Sequence, residues 1–225
     1  MRQYTLQVLA TDTEYFGRFM DELKGALVPF GSELGLGLTL FSLAVATRVR
    51  TIVEIGTWKG FSTLALASAL RFLDQGWQEP ADRYQRPDVD YDALEKDTQP
   101  RQLFTIDVES QLEIKDLVVK NGLGEYVVVI RGDSREVDLD FPFDLLFIDG
   151  NHEYEVCRAD VERYVPKLKP GGYFILHDYY GWYKGGQNGS EVKKVCEELQ
   201  LEGYPSLLID TRHQSFVVFR KPYVK

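Results

Sequence analysis

The residues that decide the fold are Thr51-Ile52-Val53-Glu54-Ile55-Gly56-Thr57-Trp58-Lys59-Gly60-Phe61-Ser62. The first five form a short run rich in β-formers, which predicts a strand. Gly56 and Gly60 follow and indicate a turn. An apolar, helix-forming run then extends from Ser62 to Phe72. The segment is therefore predicted to fold as strand, turn and helix.

The same alternation continues to the end of the chain. Further strands are predicted at Leu103–Asp107, Tyr126–Ile130, Phe143–Asp149, Tyr173–Leu176, Ser206–Asp210 and Ser215–Arg220, and further helices at Gln111–Lys120, Glu155–Leu168 and Glu191–Leu201. Continuous apolar strands that alternate with helices indicate an α/β protein, in which helices cover both faces of a parallel sheet. Only Thr211 to Gln214 join the last two strands, which is too short for a parallel crossover, so the final strand is predicted to run antiparallel.

Two regions lie outside this alternation. Residues 1–50 are predicted to form an N-terminal helical cap, with helices over Glu14–Phe30 and Leu36–Val49, and residues 51–225 form the main domain. Residues 74–102 are polar and contain three prolines and many acids, so they are predicted to be an insertion between the first helix and the second strand. A solvated surface excursion, a cap over the site and an oligomer contact are the alternatives for this insertion.

Composition and charge narrow the class of protein. The chain has 225 residues, 44% hydrophobic and 27% charged, which is typical of a globular protein. A net charge of −9 gives no overall attraction to nucleic acid or anionic lipid, so neither is predicted as a partner. The apolar runs are too short to span a membrane, the first residues lack a signal-peptide pattern, and two cysteines are too few for a disulfide scaffold. A cytoplasmic location is therefore predicted.

The residues after the first strand indicate a ligand site. In an open α/β sheet, ligands bind outside the carboxyl ends of the strands. Gly56 and Gly60 would let the backbone turn and approach a ligand closely, and Glu54 would face a cationic or hydroxyl-bearing ligand. Trp58 stands where a GxGxxG motif requires glycine, which disfavours a dinucleotide.

Polar residues after the second and third strands strengthen this prediction. Asp107 ends the second strand, where an acid can accept hydrogen bonds from both hydroxyls of a ribose. Gly132-Asp133-Ser134 ends the third strand, where a polar turn could edge an adenine ring. Each residue alone would be an ordinary loop residue, but their order along the chain indicates one site.

With these motifs, the sequence resembles the class I S-adenosylmethionine-dependent methyltransferases over roughly residues 36–220. The resemblance implies a doubly wound, Rossmann-like sheet of seven mostly parallel strands with an antiparallel last strand. It implies that the glycine turn holds the methionine portion of the cofactor, that Asp107 binds the ribose, and that Asp133 and Ser134 flank the adenine. The cofactor-binding residues predicted in this way are Glu54, Gly56, Thr57, Trp58, Gly60, Ser62, Asp107, Asp133, Ser134 and Asp149. The insertion lengthens the usual gap between the glycine turn and the ribose acid.

The ends of the fourth and fifth strands carry a second set of polar residues. Asp149 ends one strand and His177-Asp178 ends the other. Adjacent strands lie about 5 Å apart, so these side chains can meet at one point. Two carboxylates and one imidazole suit a divalent cation; oxygen ligands favour Mg²⁺, while the imidazole is also compatible with Mn²⁺, Fe²⁺ or Zn²⁺. The alternative is that Asp149 caps the following helix and His177 packs at the end of the sheet.

This second set resembles the metal-dependent small-molecule O-methyltransferases, which comprise the catechol-type enzymes and a branch that methylates sugars and natural products. The resemblance implies Asp149, His177 and Asp178 as metal ligands, although His177 stands where the family usually has an acid. The run Asp149-Gly150-Asn151-His152-Glu153-Tyr154-Glu155 is most similar to the sugar and natural-product branch. His152 stands where the catechol-type enzymes carry a lysine as general base, and an imidazole can accept a proton near neutral pH.

These residues predict an S-adenosylmethionine-dependent O-methyltransferase that acts on a small hydroxylated acceptor with the help of a divalent metal, Mg²⁺ being favoured. His152 and Asp149 are the predicted catalytic residues; the alternative for His152 is a capping or supporting residue bonded to Asp160. The aromatic loop that begins at Tyr179 could close over the acceptor or form a homo-oligomer contact. The alternatives to the enzyme are a non-catalytic S-adenosylmethionine-binding module and a metal-dependent hydroxylase on the same scaffold.

Overall fold

A computed structural model describes residues 34–75, 100–109, 112–181, 191–210 and 214–223. The helix predicted over Glu14–Phe30, most of the predicted insertion, and Trp182 and Tyr183 of the aromatic loop lie outside these residues. The helices are α1 (Leu34–Thr47), α2 (Phe61–Asp74), α3 (Leu112–Lys120), α4 (Tyr154–Tyr164) and α5 (Glu191–Leu201). The strands are β1 (Thr51–Ile55), β2 (Gln102–Asp107), β3 (Val127–Arg131), β4 (Phe143–Ile148), β5 (Leu168–His177), β6 (Ser206–Asp210) and β7 (Ser215–Arg220).

The described strands form one sheet of seven in the order β3-β2-β1-β4-β5-β7-β6. The pairs from β3 to β5 are parallel, and β7 runs antiparallel to both β5 and β6. The chain order reverses at β1, so the carboxyl ends of β1 and β4 flank the switch point at which open α/β sheets bind ligands. The predicted seven-stranded sheet with its antiparallel last strand is confirmed.

Helices cover both faces of the sheet, as predicted. Val53 and Ile55 of β1 belong to a core cluster that includes apolar residues of α4 and α5. Ile52 belongs to a cluster on the other face, which includes apolar residues of α1, α2 and α3. The strand period of two therefore sends alternate side chains of β1 to opposite faces, and Glu54 points to the same face as Ile52. Helix α1 is part of this second layer, while a cap formed by residues 1–50 remains a prediction.

The predicted boundaries around β5 were wrong. The preceding helix ends at Tyr164 because a 3₁₀ turn containing Pro166 follows it at Val165–Lys167. The strand then begins at Leu168, before Pro170-Gly171-Gly172, which the sequence predicted to be a turn. These residues form an irregularity within the strand, since Phe143 pairs with Leu168 but Leu145 pairs with Tyr173. A Cβ atom at Gly172 would lie 2.8 Å from the carbonyl oxygen of Asp144, so the two strands approach closely there.

The two ends of the predicted insertion lie together. Nε of Arg101 lies 2.9 Å from Oδ1 of Asp74, at the end of α2. The guanidinium of Arg101 also donates a hydrogen bond to the carbonyl oxygen of Val49. The chain therefore leaves α2 close to the point at which it enters β2. No helix in the described part of the chain has both the length and the apolar character needed to cross a membrane.

Candidate active site

The site lies where β1 and β4 end side by side. The backbone N–H of Asp149 donates to the carbonyl oxygen of Ile55 at 2.8 Å, and the N–H of Gly56 donates to that of Ile106 at 2.9 Å. Gly56 has a φ of +87°, and a Cβ atom there would lie 2.1 Å from the carbonyl oxygen of Asp149. Glycine at this position is therefore what lets the two strand ends approach so closely.

The carboxylate of Asp107 connects the end of β2 to the glycine turn. Its Oδ2 accepts hydrogen bonds from the backbone N–H groups of Thr57 at 2.9 Å and Trp58 at 3.0 Å. Its Oδ1 accepts a hydrogen bond from the N–H of Glu109 at 2.9 Å. Trp58 has a φ of +41°, and its side chain is half-exposed. The residue predicted to bind the ribose therefore also organises the turn predicted to hold the methionine portion.

Glu54 is fully buried and is held by hydroxyl groups of its own chain. The hydroxyls of Ser62 and Thr63 donate to its two carboxylate oxygens at 2.5 and 2.6 Å. Burial raises the pKa of Glu54 to about 7, against the opposing effect of these hydrogen bonds. Nearby, the hydroxyls of Thr57 and Thr105 lie 2.6 Å apart. Glu54 therefore faces hydroxyls of its own chain rather than the cavity, and these groups form a polar support under the glycine turn.

The loop after β3 holds the two residues predicted to flank the adenine. Asp133 is bonded by the guanidinium of Arg135, at 2.6 Å in the shortest contact. The side-chain and backbone hydrogen bonds from Arg135 lower the pKa of Asp133 to about 2, so it is ionised. The Tyr164 hydroxyl donates to the carbonyl oxygen of Ser134 at 2.8 Å and fixes the loop against α4.

One cavity of about 550 Å³ connects these strand ends, a volume suited to a small-molecule ligand. Nine of the predicted site residues line it: Gly56, Trp58, Asp107, Asp133, Ser134, Asp149, His152, His177 and Asp178. Glu54, Thr57, Gly60 and Ser62 lie behind this lining, in and under the glycine turn. The described structure therefore brings together the predicted ribose, adenine and metal residues.

At one end of the cavity, two carboxylates face two imidazoles. Nε2 of His152 lies 3.5 Å from Oδ1 of Asp149 and 3.5 Å from Oδ2 of Asp178. Nδ1 of His177 lies 3.0 Å from Oδ1 of Asp149 and 3.6 Å from Oδ1 of Asp178. One ligand atom each from Asp149, His152 and Asp178 lies within 4.8 Å of the others, so a single cation could contact all three.

The imidazoles and carboxylates shift one another's pKa. Burial opposes the ionisation of Asp149, but His177, through its charge and its hydrogen bond, and the nearby His152 hold the pKa of Asp149 below the usual range. Burial raises the pKa of Asp178, with the charge of Asp149 adding to the effect. The Asp149 carboxylate, 3.5 Å from Nε2 of His152, raises the pKa of the imidazole, although burial opposes it. Asp149, Asp178 and His152 therefore form one electrostatically coupled group.

Asp178 has a φ of +57°, a left-handed conformation that is uncommon outside glycine. The following Tyr179 is buried in the core beside α5, whereas Tyr180 is half-exposed. The backbone N–H of Tyr180 donates to the Ser215 hydroxyl at 2.9 Å. Tyr179 and Tyr180 are the described members of the aromatic loop predicted to close over an acceptor, and of these two Tyr180 is the exposed one.

Some cavity residues were not predicted. Val108, Glu109, Arg135 and Asn151 also line the cavity. Each follows a predicted strand end by a few residues, and that position was the signal that could have identified them. The alternative contact between His152 and Asp160 is not formed, because neither carboxylate oxygen of Asp160 has a hydrogen-bond partner among the described residues.

Residues 53–179 match the family described as "Methyltransferase domain", which covers more than half of the chain. These residues include every one of the predicted cofactor, catalytic and metal-binding positions.

Three known proteins are similar to the chain over half of its length or more. A protein of Mycobacterium sp. (strain JLS), assigned to the O-methyltransferases by name only, is 28% identical over 82% of this chain and 72% of its own. The mycinamicin VI 2''-O-methyltransferase of Micromonospora griseorubida is 24% identical over 50% of this chain. The chain spans only 28% of that relative's length. The O-methyltransferase of Bacillus cereus, solved in complex with SAH, has the same fold, with a TM-score of 0.61, 18% identity and 91% coverage of both chains.

Proposed function

The chain belongs to the family of methyltransferase domains, and from this we propose that it is an S-adenosylmethionine-dependent O-methyltransferase with divalent-metal assistance. Its proposed acceptor is a small hydroxylated molecule, either a sugar or a natural product. One observation carries the proposal: a single cavity joins the Asp107 carboxylate and the loop containing Asp133 and Ser134 to the carboxylates of Asp149 and Asp178.

The cofactor half of the proposal is supported by the groups that the cavity offers. The carboxylate of Asp107 lies beside the glycine turn and has acceptor capacity for ribose hydroxyls beyond its three backbone donors. Ser134, which carries a hydroxyl, also lines the cavity. The Bacillus cereus protein, which has this fold, was solved with SAH, the product left when S-adenosylmethionine gives up its methyl group.

Two observations support the proposal that the methyl group is transferred to an oxygen: the names of the relatives, and the polar residues at one end of the cavity. The mycinamicin VI 2''-O-methyltransferase methylates an oxygen of mycinamicin VI according to its name. In the present chain, an acceptor in the same cavity would meet the side chains of Asp149, His152 and Asp178. Groups that bind oxygen and accept a proton are therefore available to a hydroxyl acceptor.

The residues fit a divalent cation. Asp149 and Asp178 bring two carboxylates close enough for one ion, and a cation between them would offset their mutual repulsion. We assign Asp149 and Asp178 as the carboxylate ligands, with Nδ1 of His177 orienting Asp149 from the buried side. When bound, the cation would polarise the acceptor hydroxyl and favour its ionisation.

His152 is the proposed proton acceptor. Its Nε2 lies 3.5 Å from both carboxylates and is buried, while the rest of the side chain is partly exposed and lines the cavity. Nε2 takes the proton of the acceptor hydroxyl while the oxygen attacks the methyl carbon of the sulfonium. The new O–CH₃ bond forms as the S–CH₃ bond breaks, and the electron pair of that bond stays on sulfur. Alignment of the acceptor and cofactor in one cavity supplies much of the acceleration, because methyl transfer needs little covalent help.

A calorimetric titration with S-adenosylmethionine, after chelation and again with Mg²⁺ or Mn²⁺, tests this proposal. We expect micromolar binding, weakened by Asp107→Ala, and methyl transfer to a panel of hydroxylated sugars and natural products that stops on chelation. Asp178→Asn should retain cofactor binding and lose the metal-dependent turnover. Binding without turnover on any acceptor would favour a non-catalytic S-adenosylmethionine-binding module. Turnover that survives chelation would show that the reaction does not need a metal. Absence of S-adenosylmethionine binding would overturn the proposal.

A further inference from the structure

Asp178, one of the two proposed carboxylate ligands, has a backbone conformation that needs support. Its φ of +57° lies in the left-handed region, and a residue other than glycine keeps such a conformation when the surrounding structure holds it there. The imidazoles of His152 and His177 lie 3.5 and 3.6 Å from its carboxylate oxygens. Both distances are longer than the 3.0 Å contact that orients Asp149. The direction of the Asp178 carboxylate therefore depends more strongly on its own backbone.

Ser215 supports this backbone from a distant part of the chain. It is the first residue of β7 and is 4% exposed. Its carbonyl oxygen accepts a hydrogen bond from the N–H of Tyr179 at 3.1 Å, and its hydroxyl oxygen accepts one from the N–H of Tyr180 at 2.9 Å. The N–H of Gly181 donates to the carbonyl oxygen of Asp178 at 2.8 Å and closes the turn. Ser215 thus holds both residues that follow Asp178.

The two hydrogen bonds to Ser215 depend on its side chain in different ways. The bond from Tyr179 joins two backbone groups beside the pairing of His177 with Phe216, so any residue at this position could accept it. The bond from Tyr180 needs a side-chain oxygen at position 215. If the hydroxyl is removed, the turn can shift until the N–H of Tyr180 meets water, because this residue is half-exposed.

We propose that Ser215 is a positioning residue, whose hydroxyl holds the turn after β5 so that the Asp178 carboxylate faces the same cation as Asp149. This inference rests on the proposed function, since it needs a cation between the two carboxylates. It assigns a role at the site to β7, the strand that runs antiparallel to β5. Groups that orient a metal ligand contribute to metal affinity without contacting the ion.

The test is a titration with Mn²⁺, followed by electron paramagnetic resonance, of the unmodified chain, Ser215→Ala and Ser215→Thr. Ser215→Ala should raise the dissociation constant for Mn²⁺ by about threefold to tenfold, the usual effect of losing one hydrogen bond. Ser215→Thr retains a hydroxyl and should stay within about twofold of the unmodified chain. The affinity for S-adenosylhomocysteine, measured by calorimetry, should be unchanged in both variants, because the glycine turn and Asp107 lie on other strands.

Ser206→Ala is the matched control. It removes a hydroxyl at the start of β6, where Oγ of Ser206 accepts a hydrogen bond from Gln200 at 3.1 Å, and it should leave Mn²⁺ affinity unchanged. Ser215→Cys, in which the sulfur is a weak acceptor, replaces Ser215→Ala if that variant fails to fold.

The outcomes separate this inference from the proposed function. Normal Mn²⁺ affinity in the variant that lacks the hydroxyl would overturn the inference alone, since Ser215 would then support the fold without positioning Asp178. A loss of affinity that Ser215→Thr does not restore would also overturn it, because the hydroxyl would not be the group responsible. Absence of Mn²⁺ binding by the unmodified chain would overturn both the inference and the metal assistance in the proposed function.

Discussion

Nδ1 of His177 lies 3.0 Å from Oδ1 of Asp149, at the adjacent ends of β5 and β4. The His177 ring is buried, with its centroid 6.2 Å from that of Phe147 and 6.5 Å from that of Phe216. A ring enclosed in this way has little freedom to turn, so its Nδ1 holds the Asp149 carboxylate in one orientation. His152 approaches the same carboxylate from the cavity side, at 3.5 Å. His177 therefore orients Asp149 from the buried side, while His152 lies on the side where the proposed cation and acceptor would bind.

The first prediction separates these histidines. His177→Ala should weaken Mn²⁺ binding by about tenfold or more, because partners that orient a metal ligand typically contribute 10- to 100-fold. His152→Ala should lower the methyl-transfer rate by about 100-fold or more and change Mn²⁺ affinity less than threefold, as expected for a general base. Mn²⁺ titration followed by electron paramagnetic resonance measures the affinity. Asp149→Asn is the reference for loss of the site.

The opposite result is equally informative. If His152→Ala abolishes Mn²⁺ binding as completely as Asp149→Asn does, Nε2 of His152 is a metal ligand and cannot be the base. If His177→Ala binds Mn²⁺ normally, the 3.0 Å contact with Asp149 does not orient the ligand.

The second prediction concerns Glu54 and the pH dependence of stability. Its pKa is raised to about 7 in the fold, from a value of 4.5 without the protein environment. The unfolded chain therefore releases this proton first, and the free energy of unfolding falls as the pH rises from 4.5 through 7. Between pH 5 and pH 8, Glu54 alone should reduce the free energy of unfolding by about 2–3 kcal/mol.

Urea unfolding of the unmodified chain and of Glu54→Gln at pH 5 and pH 8 isolates this effect. The variant should lose less stability between the two pH values, whatever its absolute stability. Glu113→Gln, at an exposed position on α3, is the control and should follow the unmodified chain. Parallel pH profiles for the unmodified chain and Glu54→Gln would show that Glu54 has an ordinary pKa.

The third prediction concerns the approach of β1 to β4. Gly56→Ala adds a Cβ atom that would lie 2.1 Å from the carbonyl oxygen of Asp149, so the strand ends must separate. We expect a loss of more than about 3 kcal/mol in the free energy of unfolding, or no folded protein. Gly203→Ala is the matched control, because Gly203 also has a positive φ, +92°, but nothing within 4 Å. Its cost should be the backbone strain alone, about 1–2 kcal/mol. Equal losses in thermal or urea unfolding would mean that the strand ends separate freely.

The sequence predicts the fold well because its signals are local and periodic. The first and last residues of β1, α5, β6 and β7 are the predicted ones. The predicted methyltransferase family and the predicted sheet are also confirmed. The start of β5 was missed because Pro170-Gly171-Gly172 has the composition of a turn. Only pairing with β4 shows that the strand continues through these residues as an irregularity.

The sequence predicts which residues lie at the site, but not which groups each of their side chains contacts. Topology alone places Asp107, Asp149 and Asp178 at neighbouring strand ends, so their residue types were enough to find the cavity. Alternate side chains of a strand point to opposite faces of the sheet, and the groups that each one meets depend on which helix packs on that face. Glu54 therefore faces the hydroxyls of α2, a relation that spacing along the chain does not reveal.

The last prediction concerns Glu191, which links the two helices beside the polar end of the cavity. Its carboxylate on α5 accepts the backbone N–H of Tyr154 at 2.6 Å, at the first residue of α4. Glu153, at the N-cap position, makes no side-chain capping bond. Glu191 therefore caps α4 from another helix, two residues after His152. The Tyr154 hydroxyl donates to Glu198 at 2.8 Å and reinforces this link.

Glu191→Ala should lower the free energy of unfolding by about 1 kcal/mol, the usual cost of losing an N-cap. It should also lower the methyl-transfer rate at saturating substrate, because the loop that carries His152 loses its anchor. Glu191→Gln keeps an acceptor oxygen and should recover most of the rate. Glu197→Ala on the same helix removes an exposed ion pair with Lys193, 3.7 Å long, and should change neither property. A Glu191→Ala variant that is less stable but turns over at the normal rate would show that the cap supports α4 without positioning His152.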